Sequence, residues 1–269
     1  MTVTGQAPAR RLEGKRVLLV GGGQSAGQGV GIGRATALLY ARHGAELVLV
    51  DRDEAAVHET RKMIEAEGGT ASVVLADVRS DDDCARMVRS AQETLGRIDV
   101  LFDGIGRQGR GTVDETAPEL WEEVIGLNLT AMWLVVRHVL PVMQAQRAGS
   151  IVLVSSISAV RGGAAAAYGV SKAAVNRLAV AVAASAARFD VRANAIMPGL
   201  LDTPMAIDGI VTADGPSRED VVAQRQATVP MSIVGTAWDV AWAALYFASD
   251  ESRYVSGQCL AVDAARTVS

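Results

Sequence analysis

Tyr168 and Lys172 stand four residues apart in Tyr168-Gly169-Val170-Ser171-Lys172, at the start of an alanine-rich stretch. On a helix, that spacing puts a phenol and an ammonium on one face. A phenol titrates near ~10, so acting as a base near pH 7 takes a shift of about three units, or roughly 4 kcal/mol in favour of the phenolate. An adjacent ammonium acts in that direction, as would any second cation docked beside the ring. Such a pair also occurs on many helices that do no chemistry, so its meaning depends on its surroundings.

The other chemically suggestive stretch is Gly21-Gly22-Gly23-Gln24-Ser25-Ala26-Gly27-Gln28-Gly29-Val30-Gly31-Ile32-Gly33, which follows a short apolar run and precedes Arg34-Ala35-Thr36. Glycines let a backbone approach a pyrophosphate closely, and free N–H groups at a helix N-terminus stabilise its charge. A strand before the loop and a helix after it turn a weak pattern into a dinucleotide site. Asp51 ends the next apolar run. A carboxylate there accepts from both ribose hydroxyls and repels a 2′-phosphate, which favours NAD over NADP. Arg52 beside it is able to pair with such a phosphate, so NADP stays as the alternative. Asp77-Val78 closes a third run, where the carboxylate could accept from an adenine amino group or serve only as a turn residue.

The elements that must position these residues recur along the chain. Short branched apolar runs at 17–20, 47–50, 72–76, 100–102, 151–154, 191–197 and 260–262 read as strands buried on both faces. Helical patterns at 34–43, 54–67, 84–94 and 121–146 lie between them, and the alanine-rich 173–187 reads as a close-packed helix. Alternation of this kind predicts an α/β, doubly wound parallel sheet with helices on both faces, and a site beyond the carboxyl ends of the strands. Segment 205–231, with Gly209, Gly215, Pro216 and Pro230, breaks the alternation and reads as a surface excursion able to act as a substrate lid.

Composition narrows the function classes. The 269 residues are 49% hydrophobic, enough for one sizeable core, and one domain over 1–269 is the expectation. With 26 basic and 30 acidic residues, a net charge of -4 gives no electrostatic reason to expect nucleic acid or an anionic membrane as partner. The leading segment has no apolar core of a secretory signal, and no apolar run reaches the ~18 residues of a membrane span, so a cytoplasmic location is expected. Cys84 and Cys259 read as buried thiols, and His43, His58 and His138 as structural, without metal-ligand spacing.

Taken together, these motifs resemble the short-chain dehydrogenase/reductase family, single-domain Rossmann-like NAD(P)-dependent oxidoreductases. The resemblance runs from about Gly14 to Asp263 and rests on Gly31-Ile32-Gly33, Asp51, Asp77-Val78, Gly126-Leu127-Asn128, Ser155-Ser156, Tyr168 with Lys172, Pro198-Gly199 with Thr203, and Gly257-Gln258. It implies a tetrad. Tyr168 would be the general acid/base. Lys172 would hold the nicotinamide ribose and, together with the oxidised ring, lower the tyrosine pKa. Asn128 would anchor a water that joins the lysine to solvent, and Ser156 would bind the substrate oxygen. Counting from the strand selects Ser156, with Ser155 structural, whereas the family's usual separation from the tyrosine selects Ser155. The segment Pro198-Gly199-Leu200-Leu201-Asp202-Thr203 resembles the family's nicotinamide clamp, with a backbone group near Leu201 and the Thr203 hydroxyl on the carboxamide.

Two departures stand out. The glycine loop is several residues longer than the family's, which leaves open whether Gly22 or a later glycine faces the phosphates. Asp103-Gly104-Ile105-Gly106 replaces Asn-Asn-Ala-Gly, and an ionised Asp103 only accepts hydrogen bonds where asparagine also donates. The resemblance implies hydride transfer between NAD and a small secondary alcohol or ketone, in a homo-oligomer, tetramer or dimer, with 121–146 and the Tyr168 helix at an interface. The alternatives are an NAD-dependent epimerisation with no net redox change and a catalytically silent binding protein of the same fold.

Overall fold

Val17, Leu18, Leu19 and Val20 are all fully buried, as branched side chains on a strand covered on both faces must be. They form most of β1 (Arg16–Val20) in a computed structural model that describes residues 10–163, 165–208, 210–211 and 215–269. Next come α1 (Ile32–Arg42), β2 (Glu46–Asp51), α2 (Glu54–Ala66), β3 (Thr70–Leu75), α3 (Asp81–Leu95) and β4 (Val100–Asp103). The middle of the chain gives α4 (Pro118–Ile125), a π-helical turn (Gly126–Thr130), α5 (Ala131–Gln146), β5 (Gly149–Val154), α6 (Ala166–Ala186) and β6 (Val191–Pro198). The last part holds β7 (Leu201–Asp202), α7 (Pro204–Ile207), α8 (Arg218–Gln226), β8 (Gly235–Thr236), α9 (Ala237–Ala248) and β9 (Cys259–Val262).

The main sheet has seven strands in the order β3-β2-β1-β4-β5-β6-β9, and every pairing is parallel. Strand order reverses between β1 and β4, where a crevice must open above the strand ends. The ends are level there, with Val20 in register with Val50 on one side and Asp103 on the other. Alternate side chains feed two cores. Leu18, Val20, Val48 and Val50 pack with Met87 of α3, Val135 of α5 and Ala179 of α6. Val17, Leu19, Leu47 and Leu49 pack on the other face with Leu38 of α1, Val57 of α2 and Leu245 of α9.

Local chemistry sets the helix ends. The Ser80 side chain accepts from the Asp83 amide at 3.2 Å, Asp81, Asp82 and Asp83 occupy the first turn of α3, and Gly96 closes the helix at φ +76°. His138 lies 2.7 Å from Asp81, linking α5 to α3, while His58 lies 4.0 Å from Glu54 and His43 meets Trp242 edge-on. Cys84 is buried, Cys259 is half-buried, and both are unbridged.

The structure revises the sequence reading in four places. Helix 121–146 begins at Pro118 and contains the π turn. Segment 205–231 is not irregular throughout, since it holds most of α7 and all of α8; its Gly209 and 212–214, Asp214 included, lie outside the described residues. Helix α9 was not expected, because AWDVAWAALYFA is apolar almost all round and shows no stripe; the sign available was its capping box, Thr236 with Asp239. Finally, 118–146 is long and apolar enough to cross a bilayer, with mean hydropathy 1.4 in its most apolar window. Its Ala131, Val135, Val139 and Met143 nonetheless point into the core of the sheet.

Candidate active site

The glycine loop is fixed to β2 at its start. The amides of Gly21 and Gly22 both donate to the Val50 carbonyl, at 2.9 and 3.0 Å. A Cβ on Gly33 would lie 1.8 Å from the Gly21 carbonyl oxygen, so the first turn of α1 sits directly on the loop. Gly31 is the N-cap of α1 and supplies no side-chain cap, which leaves amides of that first turn for a ligand. Gly21, Gly31, Ile32 and Gly33 line the cleft, whereas Gly22 packs behind it against Leu49. Gly27 and Gly29 in the lengthened part face Asp208 and Arg218 instead. These contacts place a close-approach cradle where the sequence put a pyrophosphate.

Asp51 stands at the rim, at the end of β2. One carboxylate oxygen accepts from the Gly23 amide at 2.9 Å and the other from the amides of Arg52 and Asp53, at 2.8 and 3.1 Å. Three backbone donors hold the group in place beside the loop. Arg52, Asp77 and Val78 line the same end of the cleft. The Arg79 guanidinium holds the Asp77 carboxyl below its ordinary pKa.

At the other end of the cleft, α6 brings Tyr168 and Lys172 onto one face. The Ser155 hydroxyl donates to the Lys172 carbonyl at 2.8 Å and pins α6 to the end of β5. The Ser156 hydroxyl faces the Tyr168 phenol and accepts from the Ser158 amide at 3.1 Å. Lys172 is buried, and its ammonium donates to the Val154 carbonyl at 2.9 Å while lying 5.8 Å from the centre of the Tyr168 ring. Burial pushes the phenol's pKa up, and the Ser156 hydroxyl pulls against it. The depression of the phenol that the resemblance implies has to work against this burial.

Asn128 sits in the π turn, fully buried beneath the cleft. Its amide exchanges two bonds with the Arg107 backbone, at 2.8 and 3.0 Å, and donates to the Ser171 hydroxyl at 3.0 Å. Ser171 in turn donates to the Tyr168 carbonyl at 2.7 Å. The polar residue and the irregular turn occur together, as π turns often do at functional positions. Gly106 passes so close that a Cβ there would lie 3.0 Å from the Lys172 nitrogen and 3.4 Å from the Asn128 oxygen.

Asp103 also lies behind the cleft wall, with no exposure, while Gly104 lines it. One carboxyl oxygen accepts from the Ile105 amide at 3.1 Å and the other has no partner among the described residues. Burial pushes its pKa up to about 7, against the Ile105 amide and the Lys172 charge. Burial thus works against the ionised form of Asp103, the form that only accepts hydrogen bonds. Burial likewise lowers Lys172 to about 8, and Asp103 opposes that shift.

The segment leaving β6 completes the cleft. The Gly199 amide donates to the Val262 carbonyl at 2.9 Å, and Pro198, Gly199, Leu201 and buried Thr203 form the wall between the glycine cradle and Tyr168. The whole cleft holds about 780 Å³, room for a dinucleotide together with a small second molecule. Sequence reasoning did not single out the arginines that the fold brings to the cleft, Arg110, Arg161, Arg225 and Arg266, nor the link by which Asp208 and Arg218 tie the long loop to α7 and α8.

Several known proteins are similar to this chain along most of its length. Residues 26–265 match the profile of a family described as Enoyl-(Acyl carrier protein) reductase. The chain is 33% identical over 264 residues to Oxidoreductase UcpA of Salmonella typhimurium, covering 96% of each chain. It is 34% identical over 256 residues to Dehydrogenase/reductase SDR family member 6 of Rattus norvegicus, covering 94% of this chain and 97% of that one. Among solved structures, Levodione Reductase superposes with a TM-score of 0.90 at 27% identity, covering 96% of this chain and 100% of that one. By its fold, its cleft and these relatives, the chain belongs to the short-chain dehydrogenase/reductase family, oxidoreductases that act on small molecules with a nicotinamide cofactor.

Proposed function

We propose that this chain moves a hydride between NAD and a secondary alcohol or ketone, with Tyr168 as general acid/base. The observation that carries the reading is the Ser156 hydroxyl facing the Tyr168 phenol, with buried Lys172 one helical turn further on, in a cleft whose other end is the glycine cradle. The nicotinamide, when bound, supplies the hydride acceptor or donor. Ser156 holds the substrate oxygen beside the phenol. Tyr168 takes the hydroxyl proton during oxidation and returns it during reduction. Lys172 uses one of its three ammonium hydrogens on Val154, which leaves two for the cofactor ribose and keeps the positive charge next to the phenol. Asn128 shapes the turn beneath both groups. Asp51 at the adenosine end favours NAD over NADP, since a fixed carboxylate repels a 2′-phosphate.

In this reading one domain carries both the cofactor and the substrate sites, with 205–231 as lid. Half-exposed Trp133 on α5 and Val170 on α6 favour a homotetramer or dimer built on those helices. Unbridged Cys84 and Cys259 suit the reducing cytoplasm. The direct test is Tyr168→Phe, with turnover measured on an alcohol panel and NADH affinity measured by fluorescence titration. Turnover should fall about a thousandfold while NADH binding stays within about twofold. Unchanged turnover would remove the mechanism.

A further inference from the structure

Four arginines from separate segments line the cleft that holds Tyr168. Arg110 precedes Gly111, which bridges to Ala165 just ahead of α6, and Arg161 lies in the loop between Ser156 and Tyr168. Arg225 comes from α8, and Arg266 from the C-terminal turn. Among the described residues none of the four forms an ion pair, although the chain as a whole carries a net charge of -4 and most of its arginines are paired.

Arg225 is the centre of the group. Its Nε is buried without a hydrogen-bond partner among the described residues. Burial, then Arg110 and Arg266, push its pKa down, which places both like charges close by. Asp202 acts on Arg225 in the opposite sense, but its carboxylate is taken by Arg218. Arg266 spends one nitrogen on the Thr228 carbonyl, which turns the C-terminal segment toward α8. Like charges gathered beside a concave, partly dry wall leave planar donor forks unused, and that arrangement matches a carboxylate or phosphate.

Resting on the redox reading above, we infer that the substrate carries an anionic group, a carboxylate or a phosphate ester, held by Arg225 with Arg110 and Arg266 while its carbonyl lies against Tyr168 and Ser156. The cluster then fixes which end of the substrate enters first. An uncharged ketone of the same shape lacks this anchor.

The test titrates the NADH-loaded protein by calorimetry with pyruvate, 4-oxopentanoate and 5-oxohexanoate, each against its methyl ester, and with dihydroxyacetone phosphate against dihydroxyacetone. At least one anion should bind about tenfold or more tightly than its neutral partner, and less tightly as salt is raised. A preference among the acids assigns the carboxylate; one for the phosphate ester assigns the phosphate. Arg225→Gln, and separately the exposed Arg110→Gln, should erase the preference. Equal binding of all charged and neutral pairs overturns the inference, as does a preference that survives both substitutions. NADH oxidation followed on the same compounds separates the two readings. Reduction of neutral ketones with no anion preference sinks the anchor alone, whereas anion-selective binding with no reduction of any compound sinks the hydride transfer and leaves the anchor standing.

Discussion

The backbone amide of Gln28 donates to the carboxylate of Asp208 at 3.0 Å, which ties the lengthened part of the glycine loop to the end of α7. Arg218 closes the same link from α8, donating to the Gln28 carbonyl at 3.1 Å and pairing with both Asp202 and Asp208. The extra loop residues thus reach from the glycine cradle to α7 and α8. Gly27 permits the approach, since it sits at φ +137° and a Cβ there would lie 1.9 Å from the Asp208 oxygen.

Removing the acceptor should release the loop. In Asp208→Ala the Gln28 amide loses a charged partner, a loss of about 1.5 kcal/mol, and hydrogen exchange of the amides around Gln28 should speed up roughly tenfold while β1 and β2 stay protected. Exchange that is unaltered there would mean the link holds nothing in place.

The adjacent serines separate into different tasks. Ser155 is buried and spends its hydroxyl on the Lys172 carbonyl, so Ser155→Ala should lower stability by about 1 kcal/mol and change turnover little. Ser156 faces the phenol, so Ser156→Ala should cut kcat about a hundredfold with a melting temperature near that of the native chain. Thermal melts and steady-state rates on both variants check this, and the reverse pattern would exchange the two assignments.

These two serines show what could be read from the chain and what could not. The strands were legible because a parallel sheet covered on both faces requires continuous branched runs such as Val17 to Val20, and Tyr168 with Lys172 because i, i+4 spacing is local. Whether Ser155 or Ser156 meets the phenol depends on how a loop closes, which no spacing settles. The protonation of Asp103 depends on burial by side chains far away in sequence. Arg110, Arg161, Arg225 and Arg266 come from four separate segments with no common pattern, so only the folded chain brings them together. The π turn around Asn128 has the composition of an ordinary helix.

Cofactor choice is expected to turn on Asp51. Its carboxylate is held by three backbone amides, so Asp51→Ala removes both the ribose acceptor and the repulsion of a 2′-phosphate while Arg52 remains. The KM ratio of NADH to NADPH should move toward NADPH by about tenfold or more, with some loss of overall efficiency because Gly23 loses its acceptor. A ratio that does not change would show that the carboxylate serves the loop alone.

Asp103 gives a pH dependence whose sign can be worked out. Its pKa rises from the ordinary carboxyl range to about 7 through burial, so the folded chain holds this proton more tightly than the unfolded one. Its contribution to stability is therefore lost as pH climbs from about 4 to about 7, by roughly 2–4 kcal/mol when complete. Lys172 runs the other way: lowered to about 8, it burdens the folded state below that pH, and the burden lifts as pH rises toward the ordinary lysine range. Asp103→Asn removes the first effect and takes from Lys172 the charge that opposes its depression. The variant should lose the fall in melting temperature between pH 5 and pH 8 that the native chain shows. The alkaline limb of its kcat/KM profile should also move to lower pH, since Lys172 then sheds its proton earlier. Calorimetry across that range, together with rates on any accepted alcohol, checks both halves. Parallel melting curves with an unmoved limb would show that the buried carboxyl exerts no charge on the lysine.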